Sequence, residues 1–203
     1  MATLLTEERA TGPGRPREFK TEAVLSAAVK VFWKYGYHAS SIDDLCKATG
    51  LLRGSLYGAF GDKKGILLAA LDYYSEARLA RLQETLKKPG KEGLREALMQ
   101  YARTAGALSG RRACLITNTA LEMLPEDKDV HAKVERTFRR MSQVLTAAVV
   151  EGQAAGAFSK RLSDRDIGNF VLTVIQGIRV LGKVSYSERE LRAVVDIALR
   201  VLA

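Results

Sequence analysis

From Lys20 onward the apolar residues of this chain recur every three or four positions almost without interruption, and the breaks fall at glycine, proline and capping residues. That period commits a chain to amphipathic helices, and no stretch shows the two-residue alternation of a half-buried strand. The first stripe, Val24, Ala27, Ala28, Val31, Phe32 and Tyr35, predicts a helix over 20–35 that stops at Gly36. Ser41, with Asp44 three residues on, is a capping box. It opens a second helix that faces inward with Ile42, Leu45, Cys46 and Thr49 and ends at Gly50. A third spans 53–60, with Leu56 and Phe60 inward. Gly61-Asp62 breaks and re-caps the chain into a long helix over 63–86, closed by Pro89-Gly90. Further helices are expected over 91–108, from Ala113 to just before Pro125, and over 126–155, the last with the stripe Val130, Val134, Phe138, Met141, Leu145 and Ala148. Ser163 or Asp164 caps an apolar helix to Lys183, and Ser187-x-x-Glu190 starts the final one. The expectation is an all-α chain of about nine helices. Residues 1–16 form a basic arm, 17–62 a three-helix unit and 63–203 a larger bundle.

Composition narrows the function. Of 203 residues, 47% are apolar, enough for a packed core. No apolar run was expected to reach the roughly 20 residues that span a bilayer, so no membrane partner is expected. The opening residues lack the charged start and apolar block of a secretory signal, and two cysteines make no disulfide framework. The expected compartment is the cytoplasm. Net charge is +9, which favours a polyanionic partner. Ten Lys and Arg against seven Asp and Glu fall in residues 1–64, and 22 against 16 in the remainder, so charge alone locates no binding face. His38 and His131 are isolated, and neither a nucleophile elbow nor a phosphate loop occurs. No catalytic residue, metal or cofactor is expected.

Three short helices with a glycine turn between the second and third have the layout of a helix-turn-helix. Such a unit projects its third helix into a major groove about 12 Å wide. With Leu56 inward, Arg53, Gly54, Ser55, Tyr57 and Gly58 face out. An arginine can pair with a guanine edge through two hydrogen bonds, and serine or tyrosine suits a base edge or phosphate. Lys63, at the start of the long helix, can reach phosphate. Packing of three helices into an ordinary subdomain explains the same pattern without DNA.

The stretch Thr21–Leu71 resembles the TetR family of bacterial one-component transcriptional regulators. The resemblance is carried by Ala28-x-x-x-Phe32-Trp33-x-x-Gly36-Tyr37, by Ser40-Ser41-Ile42-x-x-Leu45, and by Ala48-x-Gly50-Leu51-x-x-Gly54-Ser55-Leu56-Tyr57-x-x-Phe60-x-Asp62-Lys63-x-x-Ile66-Leu67. It implies a homodimer that binds a palindromic operator in double-stranded DNA and releases it when an effector enters the bundle. It further implies DNA contacts from Ser41, Arg53, Gly54, Ser55, Tyr57 and Lys63, with Arg15 and Arg17 of the arm on the minor groove or backbone. Gly58 and Ala59 depart from the aromatic or His residues common there in the family, which shifts weight to Arg53 and the arm. The helix over 164–183 is apolar on more than one face and must be buried on two sides. By the resemblance it pairs, with the last helix, against a second copy.

Within the bundle, aromatic, Met and polar residues that could line an effector cavity are Tyr73, Tyr74, Met99, Tyr101, Asn118, Phe138, Met141, Phe170 and Gln176, although plain core packing accounts for such residues as well. Cys114 follows Arg111-Arg112-Ala113 and opens a helix, a setting that favours a reactive thiolate, with Lys183 as another possible neighbour. Ala113-Cys114-Leu115-Ile116-x-Asn118-x-Ala120-x-Glu122 resembles a motif of the NemR-like subgroup, some of whose members use the cysteine there to sense electrophiles. Cys46 reads as core, and a buried inert thiol is the alternative for Cys114. Two rivals stay open: a DNA-binding protein without ligand response, and a helical small-molecule-binding protein or enzyme with a vestigial helix-turn-helix.

Overall fold

The computed structural model describes residues 20–88, 90–106, 113–161, 163–184 and 186–203. Arg15, Arg17, Arg111 and Arg112 lie outside the described residues. Among these residues there are nine helices and no strand: α1 Thr21–Ala39, α2 Ile42–Thr49, α3 Arg53–Phe60, α4 Lys63–Leu86, α5 Gly90–Gly106, α6 Leu115–Met123, α7 Lys128–Ala154, α8 Asp164–Val184 and α9 Glu188–Leu202.

The capping residues act as expected. The Ser41 hydroxyl accepts from the Asp44 N–H, and the Asp44 carboxylate accepts from the Ser41 N–H. Asp62 caps α4 by accepting from the Gly65 N–H at 2.7 Å, and Ser187 and Glu190 repeat the box at α9. Ser163, rather than Asp164, caps α8, accepting from the Asp166 N–H. Several boundaries differ from expectation, α6 among them, which starts at Leu115 rather than Ala113. α1 runs on to Ala39 across a break at Gly36, whose φ of 78° only glycine adopts at little cost. α7 starts at Lys128, later than Glu126, because Asp127 takes the two amides of its first turn.

Two hydrophobic cores stack along α4. The upper one joins α1–α3 to the first half of α4, to α6 and to the start of α7, through Phe32, Leu45, Leu56, Ile66, Leu67, Ile116 and Val130. The lower one joins the second half of α4 to α5, α7, α8 and α9, through Leu82, Leu98, Leu145, Ile175 and Leu199. α4 crosses both and is tied to α7 by ion pairs along its length, from Lys64 with Asp129 through Asp72 with Lys133 to Glu76 with Arg140.

α8 corrects one expectation. Its length and composition meet those of a membrane-crossing segment, although no apolar run of that size was expected. It packs as a core helix, with Ile167, Val171, Ile175 and Ile178 buried against α5, α7 and α9. At Gly182 it comes so close to α5 that a Cβ would lie 2.5 Å from that of Ala105. Among the described residues, Phe170, Val180 and Val184 of α8 are exposed, as are Ile197 and Val201 of α9.

Candidate nucleic-acid interface and effector region

The α2–α3 turn is built from short-range bonds. Gly50, at φ 72°, closes α2 by donating to the Cys46 carbonyl. The Thr49 hydroxyl donates to the Leu45 carbonyl at 2.7 Å and accepts from the Leu51 N–H. α3 then inserts Leu56, 0% exposed, between α1 and α4, which turns Arg53, Gly54, Ser55, Tyr57, Gly58 and Ala59 outward. Arg53 donates to Asp43 at 3.1 Å, with both side chains more than half exposed. Leu52, just ahead of α3, is 75% exposed, and the sequence reading passed over it as a turn residue.

Lys63 is placed differently from a free phosphate ligand. Its ammonium donates to the carbonyls of Tyr37 (2.9 Å) and Ser40 (3.0 Å) and lies 4.4 Å from the Tyr37 ring centre. From the other side, the carboxylate of Glu122 on α6 accepts from the N–H groups of Tyr37 (2.9 Å) and His38 (2.8 Å). The α1–α2 corner is thus gripped by a cation on its carbonyls and an anion on its amides, and the anion comes from the bundle. Gly36 makes room for it, since a Cβ there would lie 2.7 Å from the Glu122 carboxylate. Sequence reading quoted Glu122 in a motif and gave it no role.

The effector residues do not share one cavity. Tyr74, Met99, Met141 and Cys114 are buried, Tyr73, Tyr101, Asn118, Phe138 and Gln176 half-buried. Phe170 is excluded from any interior site, because it stands on the outer side of α8. A hollow of about 850 Å³ is an open groove between α7 and α8, lined by Phe138 of this set. Asn118 lines a second groove of about 370 Å³, shared by Gly36, Glu122 and Lys183.

What the structure does bring together is a polar layer between the two cores, centred on a residue the sequence reading missed. Arg179 of α8 is 8% exposed. Its guanidinium donates to the Tyr74 hydroxyl at 3.3 Å, and its Cζ lies 5.1 Å from the Tyr101 ring centre. Arg78 stacks on the other side of this layer, 5.2 Å from the Tyr74 ring and 6.0 Å from Trp33 of α1. Burial opposes the Arg179 charge, but the guanidinium is pushed up overall, because Cys114, Tyr74 and Tyr101 would become anions beside it at high pH; at pH 7 it is a cation. Burial pushes the Tyr74 and Tyr101 phenols up, so both are neutral at pH 7. Arg179 is thus within electrostatic reach of Cys114, while Lys183 lines the Asn118 groove together with Leu115. Cys114 is 2% exposed, as the buried-thiol alternative has it, whereas Cys46, expected as core, is half-buried and packs against the edge of the upper core. One sequence signal was available. Arg179 stands four residues after Ile175 and eight after Val171, in register with the buried stripe.

Residues 24–70 match the model of bacterial regulatory proteins of the tetR family, and residues 90–198 that of tetracyclin repressor-like C-terminal domains. The HTH-type transcriptional regulator YezE of Bacillus subtilis is 30% identical over 93% of this chain and 99% of its own length. The HTH-type transcriptional repressor ComR of Escherichia coli is 27% identical over 99% and 97%. Among solved structures, the regulator CifR, a cysteine mutant complexed with 26-bp double-strand operator DNA, superposes with a TM-score of 0.82 at 28% identity, covering 94% of this chain and 100% of that one. Reduced Escherichia coli NemR, at 18% identity and a TM-score of 0.76 over 90% and 96%, shares the fold.

Proposed function

Because the chain belongs to the TetR family of bacterial transcriptional regulators, we propose that it acts in the cytoplasm as a homodimeric repressor that holds a palindromic operator and lets go when an effector enters its bundle. The carrying observation is the outward face of α3. Gly54 and Gly58 stand there in a helix although a methyl at either would meet open space. Glycine in an exposed helix costs about 1 kcal/mol against alanine, with no packing return inside the protomer. Close approach of a partner backbone supplies the return. Arg53 fits a guanine edge, Ser55 and Tyr57 fit bases or phosphate, and exposed Leu52 fits a thymine methyl. Arg15 and Arg17, outside the described residues, are proposed to add contacts to DNA. Lys63, held on the α1–α2 corner, orients the head in addition to any phosphate contact. The uncovered apolar strip of α8 and α9 supports pairing of two copies, which sets two heads on two half-sites.

For release, a non-covalent effector is the first reading and modification of Cys114 the second. The second is favoured by the Arg179 charge beside that thiol and opposed by its burial.

Selection of bound sequences from random DNA tests the proposal and is expected to return a palindrome with half-sites about one helical turn apart. Arg53→Ala should then lose about 1–3 kcal/mol of discrimination at one base position per half-site. Equal weakening on operator and scrambled DNA would refute base reading by Arg53. In the same assay, N-ethylmaleimide that labels Cys46 and leaves DNA binding intact removes the thiol reading.

A further inference from the structure

We infer that the layer around Arg179 is an anion-binding site and that the effector of this regulator is a small organic monocarboxylate. The inference rests on the effector-release reading above and names the chemistry of the effector.

A guanidinium carries five N–H donors in a planar fork, and burying it is costly unless an anion or several acceptors face it. Arg179 is more than nine-tenths buried, yet no carboxylate pairs with it among the described residues. Among the described residues it makes one hydrogen bond, to the Tyr74 hydroxyl, and that bond is long at 3.3 Å. The Tyr101 ring face adds attraction without using the in-plane donors. The fork is left with the capacity for the two parallel bonds that a carboxylate accepts.

A second group points the same way. Gln176, one turn earlier on α8, accepts through its carbonyl from the Thr117 hydroxyl at 2.8 Å, while its buried Nε2 has no partner among the described residues. An unused buried N–H near an under-used buried cation is a demand for acceptor oxygen on one face of α8. The chemistry also sets the charge. One buried cation between neutral phenols is balanced by one negative charge, which suits a carboxylate better than a phosphate dianion. Tyr74 and Tyr101 offer aromatic surface to an apolar body. On the outside of Tyr101 a recess of about 10 Å³, lined by Arg78, Arg81 and Gln100, puts two further cations at the approach. The site would have to open by movement of Tyr101, since that recess holds little more than one water.

The position connects binding to the head. Arg179 touches Tyr74, whose ring packs edge-on against Trp33 of α1 at 5.3 Å, and it lies beside Cys114 at the start of α6, the helix that carries Glu122. A carboxylate that takes the guanidinium from Tyr74 loosens α4 from α8 at the joint between the two cores.

The test uses the full-length dimer and acetate, benzoate, phenylacetate and octanoate, each beside its uncharged amide. Thermal shift reports binding, and fluorescence anisotropy on the selected operator reports release. At least one carboxylate should raise the melting temperature of wild type and release DNA while its amide does neither. Arg179→Met should lose that response by at least tenfold in half-maximal concentration. Arg179→Lys, which keeps the charge and loses the fork, should weaken it without abolishing it and covers a methionine variant that fails to fold. Equal action of acid and amide, a full response in Arg179→Met, or no shift from any carboxylate would overturn the inference. A thermal shift that depends on Arg179 in a protein that selects no palindrome would keep the site and sink the regulator reading. A selected palindrome with no carboxylate response would do the reverse.

Discussion

The reading head and the layer beneath it use the same kind of side chain under opposite conditions. Arg53 of the head is 58% exposed at its side chain and rests on Asp43. An exposed ion pair of that kind contributes about 0–1 kcal/mol, so Arg53 can leave its acid for a base edge at almost no cost. Arg179 is buried against the Tyr74 phenol and the Tyr101 ring, with no acid paired to it among the described residues, and its charge is fixed before anything binds. The head is thus a surface whose contacts are exchanged, while the layer is a preset electrostatic demand. A regulator needs both: weakly committed groups where it must search DNA, and a strongly committed one where occupancy has to move helices.

The same contrast explains what the sequence made legible. Every residue of the head proposed to face DNA, the arm aside, lies from Ser41 to Lys63, and the outward set follows once Leu56 is known to face in. Caps, turn and face are local and are written in spacings of three and four. The layer is assembled from α4, α5, α8 and the residue before α6, with its key hydrogen bond spanning 105 positions. Helical spacing marked Tyr74 and Tyr101 as candidates, and Cys114 stood out as the opening of a helix, but nothing in the sequence says that they lie near one another. Periodicity placed Phe170 in the same group because α8 is apolar on two faces, and nothing in the spacing tells which face meets the protomer. Glu122 shows the limit most plainly. It is an exposed acid on a short helix, and its partners are backbone amides 84 and 85 positions away.

If the contrast between surface and interior is sound, the largest effect should come from the buried support of the head. Leu56 is 0% exposed, and Leu56→Ala should cost about 2–5 kcal/mol. Because the upper core includes α4, α6 and the start of α7, the variant should melt in one lowered transition followed by calorimetry. A separate melt of the head, with the bundle transition unmoved, would show the two regions to be independent and break the comparison.

A smaller effect is expected at the grip between the regions. Glu122→Ala removes the acceptor for two amides that water can still reach, so stability should fall by only about 1 kcal/mol. Release of the operator by effector should suffer far more, because the bundle then no longer holds the α1–α2 corner. Titrating operator release in wild type and variant measures this. An unchanged response, at equal operator affinity, would reduce Glu122 to a structural residue.

The smallest effect sharpens the local side of the contrast, where one residue serves both the fold and the surface. Ser41→Ala removes the cap of α2 and should cost about 1 kcal/mol at pH 7. The hydrogen bonds from the Ser41 hydroxyl and then from its backbone N–H hold the Asp44 carboxyl below its ordinary value. A carboxyl lowered in the folded state stabilises fully above its unfolded pKa of about 4, and that contribution is lost as pH falls through the lower folded value. Wild type should therefore exceed the variant most at neutral pH, keep the margin down to about pH 4, and lose part of it below. Urea denaturation at neutral and acid pH reads this directly, and a margin that stays constant into acid would mean that the hydroxyl acts as an acceptor alone. Ser41→Gly separates the cap from the contact. Glycine at this position costs the helix only a few tenths of a kcal/mol and has no hydroxyl to offer a phosphate. If Ser41 touches DNA, the glycine variant should bind operator and scrambled DNA more weakly in equal proportion while keeping most of its stability. If both properties stay at the wild-type level, Ser41 serves the fold and not the surface.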